Sequence, residues 1–281
     1  MKRVLSIQDI SCLGKCSTTI ALPIISAMGV ETTILPTAIL STHTMFEGFT
    51  VKDLTSELAP ICEHWKKEGV HFDAIYTGYL GTVEQMDIVK KIFADFADEN
   101  TIKFVDPVMA DHGKLYPAFD EAYAKENAKF CGVADVIVPN LTEACFMTDT
   151  EYREDYDEAY VQALLHKLAD LGAKIVVLTG IGLSEGANGV YGLDTTTGEY
   201  FTYQNENVGA SYHGTGDVFS SVSVGALMRG LSLRDAFALA ADYTVETIKV
   251  TLENPDKPWY GVDFETTIPY LVNTLAERLA K

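Results

Sequence analysis

The chain has 281 residues, of which 47% are hydrophobic and 22% charged, which is the composition of an ordinary globular protein. This composition excludes a disordered chain, a collagen-like fibre and a disulfide-stapled miniprotein. Forty acidic against 21 basic side chains give a formal net charge of −19, and such a field repels a nucleic-acid backbone. Since no stretch is typical of a membrane span either, we expect neither nucleic acid nor a membrane as a partner.

The cysteine count and the N-terminus indicate the cellular compartment. The five cysteines are an odd number, and Met1-Lys2-Arg3 leads straight into a short strand-like run without a secretory signal. These features predict a protein of the reducing cytoplasm.

Strand-like and helix-like stretches alternate along the chain. In chain order, the predicted elements are a strand at 4–7, a helix at 17–28, a strand at 32–35, a helix at 54–68, a strand at 74–79, a helix at 82–98, strands at 104–105 and 134–138, a helix at 157–171, a strand at 174–179, a hairpin of 189–193 with 200–203, helices at 217–229 and 234–252, and a last helix ending near 280. This order predicts an α/β fold, a three-layer αβα arrangement with a mainly parallel central sheet. Since no linker or repeat interrupts it, we expect one domain over residues 1–281.

Three polar clusters are candidates for chemistry, because parallel sheets bind ligands beyond the carboxyl ends of their strands. The sharpest is His213-Gly-Thr-Gly-Asp217. Glycines at a helix start let the backbone approach a ligand, and the first helical N–H groups have no internal partner, so an anion fits there. Asp217 could then take the proton of a hydroxyl that attacks phosphorus. The alternative is an N-capping Asp after a glycine turn.

The other two clusters are acidic. Asp106 and Asp111 lie in Asp106-Pro-Val-Met-Ala-Asp111, and Asn140 and Glu143 lie in Pro139-Asn-Leu-Thr-Glu143. Carboxylate oxygens suit magnesium, usually through water, with phosphates completing the shell. The alternatives are a turn with solvated Asp residues and a helix capped by Thr142 with Glu143 in its first turn. Together with the anion site and the base, these groups are the parts that phosphoryl transfer needs.

Six segments resemble the pyridoxal kinase family of the ribokinase-like superfamily. In chain order they are Val4-Leu-Ser-Ile-Gln8, Leu40-Ser-Thr-His-Thr44, Tyr76-Thr-Gly-Tyr-Leu-Gly81, Asp106-Pro-Val-Met-Ala-Asp111 with Gly113-Lys-Leu-Tyr116, Pro139-Asn-Leu-Thr-Glu-Ala144 and Gly214-Thr-Gly-Asp217. The resemblance implies a ribokinase-like fold and transfer of the γ-phosphate of ATP to the 5′-hydroxymethyl group of pyridoxal, pyridoxine or pyridoxamine. It also implies Mg²⁺, a potassium or sodium ion, and a cytoplasmic homodimer.

The resemblance further implies roles for individual residues. Asp217 matches the base, and the N–H groups that bind the migrating phosphate match Gly214, Thr215 and Gly216. The residues that match the magnesium, phosphate and nucleotide contacts are Asp106, Asp111, Asn140, Glu143, Thr179 and, in a loop that closes over the nucleotide, Tyr116. The residues that match the wall of the vitamin pocket are His43, Thr44 and Tyr79.

Two of the departures from the family pattern concern the expected vitamin pocket. Asp9 stands where the family often has a serine that touches the polar edge of the ring, so a carboxylate would face the vitamin there. We expect Asp9 to favour a protonated ring nitrogen or the aminomethyl group of pyridoxamine; the alternative is a bond to backbone or water that discriminates nothing. Cys16 stands where an apolar residue usually lines the pocket, and we interpret it as a packing residue, because transfer to an alcohol needs no thiol.

Two other functions remain open from the sequence. A hydroxymethylpyrimidine kinase would share the fold and phosphorylate a similar ring; the two vitamin-pocket segments, and Asp in place of Cys after Gly-Thr-Gly, favour the B6 kinase. A non-catalytic sensor of nucleotide or pyridoxal phosphate is disfavoured, because the base and both acidic clusters are retained.

Overall fold

The computed structural model describes every residue from Met1 to Lys281. In chain order, its elements are β1 (Arg3–Leu13), α1 (Thr18–Ala27), β2 (Glu31–Thr42), β3 (Val51–Asp53), α2 (Thr55–Lys67), β4 (Ala74–Thr77), α3 (Val83–Phe96), β5 (Ile102–Val105), β6 (Ala110–Asp111), β7 (Lys114–Leu115), α4 (Glu121–Cys131), β8 (Val136–Ile137), α5 (Leu141–Thr148), α6 (Glu158–Ala169), β9 (Ile175–Thr179), β10 (Ala187–Asp194), β11 (Glu199–Glu206), α7 (Thr215–Met228), α8 (Leu233–Glu253) and α9 (Phe264–Leu279). None of these helices combines the length and the apolar content needed to cross a bilayer.

The predicted α/β fold is confirmed, with mostly parallel strands flanked by helices. The chain forms two compact units: the first comprises Met1–Tyr76 and Asn207–Lys281, and the second comprises Thr77–Glu206. The expectation of a single domain over residues 1–281 stays a prediction.

The first unit carries its strands in the order β4-β1-β2-β3. β1 and β2 run parallel, and the short β3 pairs antiparallel with β2. Helix α1 packs on both long strands, and α7 packs on α1 and α8. Every residue of α7 from Val218 to Ala226 is buried, as expected of a helix that is apolar on all sides. Because α7 is held on all sides, its N-terminus is a fixed point in this unit.

The second unit carries its strands in the order β11-β10-β9-β8-β5. β5, β8 and β9 are parallel neighbours, while β10 and β11 form the predicted antiparallel hairpin. The carboxyl end of β5 leads into Asp106, and that of β8 leads towards Asn140. Asn140 forms a parallel bridge with Thr179 at the end of β9. Polar residues that are distant in the sequence therefore meet at one edge of this sheet.

Candidate active site

The turn before α7 has the geometry that an anion site needs. Gly214 is the N-cap with φ 86°, and no side chain caps this helix start. A Cβ on Gly214 would lie 1.9 Å from the carbonyl oxygen of Lys15, so only glycine fits the turn. Gly216 has open space where its Cβ would be. The N–H groups of this first turn lack intrahelical partners and point out of the positive end of the helix dipole.

Asp217 is the third residue of α7, in its first turn. The alternative of Asp217 as the N-cap is wrong, because Gly214 occupies that position. The carboxylate is half-buried, and it adjoins Cys16, whose thiol is only 4% exposed. Burial first, and then the charges of Asp217 and Asp9, raise the pKa of the Cys16 thiol. Cys16 therefore stays protonated, which suits a packing residue better than a nucleophile.

Asp9 lies in the same unit, buried on β1 with 4% of its surface exposed. Its Oδ2 accepts a hydrogen bond of 2.9 Å from Ser11 Oγ, and the Ser17 hydroxyl also bonds the carboxylate. Burial raises the pKa of Asp9, although these hydrogen bonds and the nearby His43 oppose the shift.

The His43 ring links the pocket wall to the α7 turn. Its Nδ1 accepts from the Met45 N–H at 3.2 Å, so Nε2 carries the proton and donates to the Tyr260 carbonyl at 3.0 Å. The His43 and His213 rings are 4.4 Å apart. Burial lowers the pKa of both, that of His213 to about 4, so both rings are neutral at pH 7. Thr44, by contrast, is exposed, and none of the hydrogen bonds described in this pocket involves its side chain.

Tyr79, which the resemblance also assigned to the vitamin pocket, belongs to the second unit. Its half-buried ring packs on Phe119 with centroids 5.5 Å apart, and Phe119 stacks on Tyr123 at 3.9 Å. The Tyr123 hydroxyl donates to the Leu80 carbonyl at 2.5 Å. This aromatic series holds the Tyr79 ring in place through neighbours that are themselves packed and bonded.

Glu143 is the centre of the acidic set, which we define as Asp106, Asp111, Asn140 and Glu143. Glu143 is 3% exposed. Its Oε1 accepts from the Met109 N–H at 3.0 Å and its Oε2 from the Asn140 N–H at 2.9 Å. Burial raises the pKa of Glu143 to about 7 against these backbone bonds, which lower it.

Asn140, rather than Thr142, caps α5. Its Oδ1 accepts from the Glu143 N–H at 2.9 Å, which completes a capping box with Glu143. The reading in which Thr142 caps the helix is therefore wrong; Thr142 Oγ1 instead accepts from the Gly113 N–H at 3.0 Å. Asn140 Nδ2 also donates to the Ala110 carbonyl at 2.8 Å, so the loop after β5 is tied to the start of α5.

The remaining predicted residues of this unit are Asp106 and Asp111 of the acidic set, together with Thr179 and Tyr116. Asp106 is 7% exposed and its N–H donates to the Thr77 carbonyl at 2.9 Å, whereas Asp111 is exposed. The Thr179 N–H donates to the Pro139 carbonyl at 3.0 Å, which places Thr179 beside Asn140. Tyr116 follows β7 and is half-buried, with its N–H on the Met109 carbonyl at 2.9 Å.

The chemistry of the acidic set fits a hard cation. Its members present carboxylate and amide oxygens, the donors that Mg²⁺ prefers. Glu143 and Asn140 already bond backbone groups, so they suit an ion whose shell is completed by water and phosphate. No group of three or more His, Cys, Asp or Glu side chains is arranged as a metal cage.

Comparison with known proteins places the chain in a family. The model of the phosphomethylpyrimidine kinase family matches residues 22–258. The chain belongs to this family. It is 30% identical to a pyridoxal kinase of Aliivibrio fischeri over 84% of this chain and 85% of the relative. The predicted resemblance to pyridoxal kinases within the ribokinase-like superfamily is thereby confirmed.

Solved structures of similar proteins agree with this family assignment. A Bacteroides thetaiotaomicron protein described as a phosphomethylpyrimidine kinase, in a crystal form with pyridoxal, is 36% identical with a TM-score of 0.91 over 96% of this chain and 95% of that one. The pyridoxal kinase of Lactobacillus plantarum is 29% identical with a TM-score of 0.88 over 99% of both chains.

Sequence reasoning missed one residue that shapes the α7 turn. Lys15, whose carbonyl abuts Gly214, binds Asp263 at 3.1 Å and Glu265 at 2.7 Å through its Nζ. Its stem packs on Gly261, where a Cβ would lie 2.4 Å from the Lys15 Cβ. The sequence carried one indication that Lys15 matters, because it is the one charged residue between Asp9 and Glu31.

Proposed function

We propose that this protein transfers the γ-phosphate of ATP to the 5′-hydroxymethyl group of a B6 vitamer, giving the 5′-phosphate and ADP. The observation that carries the proposal is the uncapped glycine turn at the start of α7 with Asp217 in the same turn. The names of the relatives support it, because several are pyridoxal kinases and one was crystallised with pyridoxal.

In this proposal Asp217 is the general base. Its carboxylate takes the hydroxymethyl proton as the alcohol oxygen forms a bond to phosphorus, and the bond to the ADP oxygen breaks. The N–H groups of Gly214, Thr215 and Gly216 donate to the migrating phosphoryl oxygens, where negative charge is concentrated in the transition state. The turn is rigid because Gly214 fits only as glycine and α7 is buried, so little reorganisation is needed at the moment of transfer.

The acidic set would serve magnesium and the phosphates, directly or through water. When bound, Mg²⁺ neutralises charge on the phosphates. Thr179 would touch the nucleotide phosphates, Tyr116 would lie in a loop over the nucleotide, and a potassium or sodium ion would assist. The residues proposed for the vitamin are Asp9, Cys16, His43, Thr44 and Tyr79. We further propose that residues 1–281 act as one ribokinase-like domain in a cytoplasmic homodimer.

The test is a coupled ADP-release assay with pyridoxal, pyridoxine, pyridoxamine and hydroxymethylpyrimidine. For Asp217→Asn we expect kcat to fall by roughly 10²–10⁴, the usual size of a general-base contribution. Asp73→Asn is the matched control, since Asp73 pairs with Lys2 and the Arg3 N–H at the start of β1. Wild-type kcat in Asp217→Asn would remove the carboxylate from the mechanism, and vitamer binding in calorimetry without ADP release would instead indicate a sensor.

Hydroxymethylpyrimidine kinase is the second candidate, favoured by the description of the matching family model. An aspartate after Gly-Thr-Gly and the segments around His43 and Tyr79 speak for the B6 kinase. ADP release with hydroxymethylpyrimidine alone would reverse this preference.

A further inference from the structure

Asp9 is a buried carboxylate that the protein leaves without a cationic partner. The groups that act on it are the Ser11 and Ser17 hydroxyls, its own backbone and His43; no lysine or arginine is among them. His43 is neutral at pH 7, because burial lowers its pKa. Arg3 and Lys15, the nearest basic residues along the chain, are engaged by other carboxylates. Burying an ionised carboxylate without a cation is costly, so a fold retains one where a ligand supplies the charge.

The position of Asp9 suits contact with a ligand. It lies on β1 where the pairing register with β2 shifts between Gln8 and Ile10. Such irregularities re-aim a side chain and are frequent beside active sites. The Ser17 hydroxyl bonds Asp9, and the carbonyl of Lys15, two residues earlier, abuts Gly214 at the α7 turn. Asp9 and the α7 turn that carries Asp217 therefore both lie beside residues 15–17.

His43, which lies near Asp9, belongs to a cluster of aromatic rings. The His43 ring contacts Phe46 at 4.8 Å between centroids, and Phe46 contacts Trp259 at 4.4 Å. Such aromatic side chains accept a flat ring, and the burial of Asp9 strengthens a charge pair formed with it. An aromatic acceptor with one positive nitrogen would fit this environment, because its ring would pack on the aromatic side chains and its charge would pair with Asp9.

We propose that Asp9 determines substrate specificity as the counter-ion for a positively charged nitrogen on the acceptor alcohol. The inference rests on the proposed phosphoryl transfer and narrows its substrate class to cationic hydroxymethyl heteroaromatics. The charge has two sources among the B6 vitamers, the protonated ring nitrogen and the ammonium of pyridoxamine. A neutral acceptor would leave the buried carboxylate unpaired or oblige it to take up a proton.

The test compares Asp9→Asn and Asp9→Ser with the wild type in kcat/KM for pyridoxamine, pyridoxine and pyridoxal. We expect a loss of about 10–100-fold, the value of a hydrogen bond to a charged group. A loss confined to pyridoxamine identifies the ammonium as the source, and an equal loss for all three vitamers identifies the ring nitrogen. Unchanged kcat/KM for all three overturns the proposal. Asp73→Asn, which removes a carboxylate at the other end of β1, should change none of these values.

A neutral probe separates charge recognition from general damage to the pocket. The probe is a carbocyclic analogue of pyridoxine in which CH replaces the ring nitrogen, measured as an inhibitor. Its inhibition constant should be unchanged or lower in both variants, because the lost carboxylate had no partner on it. Weakening of this analogue by the same factor as the vitamers would overturn the proposal.

Thermal unfolding distinguishes the proposal from a purely structural role for Asp9, because the two predict opposite changes in Tm for Asp9→Asn. Asn at position 9 keeps an oxygen for the Ser11 hydroxyl and removes the buried charge, so we expect the Tm of Asp9→Asn at pH 7 to equal or exceed that of the wild type. A clear drop would mark Asp9 as a residue of the fold and count against the proposal. If the wild type phosphorylates no vitamer, the proposed function fails, and calorimetry of pyridoxamine binding to the wild type and Asp9→Asn still decides the role of Asp9.

Discussion

Two glycines in the same turn, Gly214 and Gly216, should respond to alanine in opposite ways. Gly214 has φ 86° and no room for a Cβ, because the Lys15 carbonyl oxygen would be 1.9 Å away. Gly216 lies within α7 and has nothing within 4 Å of a Cβ. The protein itself therefore requires glycine at one position and tolerates a methyl group at the other, so any requirement for Gly216 comes from a ligand.

The magnitudes follow from these surroundings. In Gly214→Ala, the left-handed conformation costs about 1–2 kcal/mol, and the clash with a backbone oxygen adds to this because the turn must shift. In Gly216→Ala, lower entropy of the unfolded chain should stabilise the fold by about 0.4–1 kcal/mol. If phosphate approaches the backbone here, the methyl group displaces it, and the loss of one oxyanion donor costs about 10²–10³ in kcat.

The assay pairs urea unfolding with steady-state kinetics for each variant. Gly216→Ala should unfold at the same or a higher urea concentration than the wild type and yet lose activity or show a raised KM for ATP. Gly69→Ala is a suitable control, since Gly69 also has open space around its Cβ position and ends α2 with φ 67°. It should lose stability and keep kcat. Wild-type kcat and KM in Gly216→Ala would refute the reasoning that phosphate contacts this turn.

Three further predictions concern groups around the two sites. Glu143→Gln should lower the free energy of unfolding by about 1–3 kcal/mol, because one backbone N–H that now donates to the carboxylate would face an NH₂ group. Glu126→Gln, at a half-buried residue that pairs with Lys129 at the surface, should change it by under about 0.5 kcal/mol in urea titrations. Since burial and His43 lower the pKa of His213 from 6.5 to about 4, stability should decline as pH falls from about 6.5 towards 4, by at most roughly 3 kcal/mol. His213→Gln should flatten that decline in Tm measurements, whereas His64→Gln should reproduce the wild-type curve. Lys15→Met should destabilise by about 1–3 kcal/mol and raise the KM for ATP; an unchanged KM would contradict the view that Lys15 supports the turn.

Local pattern in the sequence predicted the elements with regular faces. The amphipathic helices and the hairpin lie within a few residues of their predicted positions, whereas β1 and β2 continue to Leu13 and Thr42, well beyond the strands predicted at 4–7 and 32–35. The elements that escaped prediction are short or polar. All three residues of β3 are exposed, β6 and β7 have two residues each, and α4 is largely polar in sequence. Such segments carry too few apolar residues to establish a period, and their pairing depends on neighbours elsewhere in the chain.

The partners of the polar side chains were decided by tertiary structure. Thr82 caps α3 by accepting from the Gln85 N–H, and the Gln85 side chain accepts from the Gly81 N–H. Asn140 and Glu143 were predicted as metal or phosphate residues, and they also form a capping box of their own. Spacing in the sequence identifies residues that can meet. It does not identify the donor that bonds each acceptor, because donors from distant segments compete.

The sequence by itself determined the alternation of strands and helices and the glycine turn that precedes Asp217, since both depend on residues that are adjacent in the chain. Only the tertiary structure decided that Asp9 is buried without a cation and that Lys15 is tied to carboxylates almost the full length of the chain away. Burial and ion pairing depend on which distant segments pack together, and that information is absent from any local stretch of sequence.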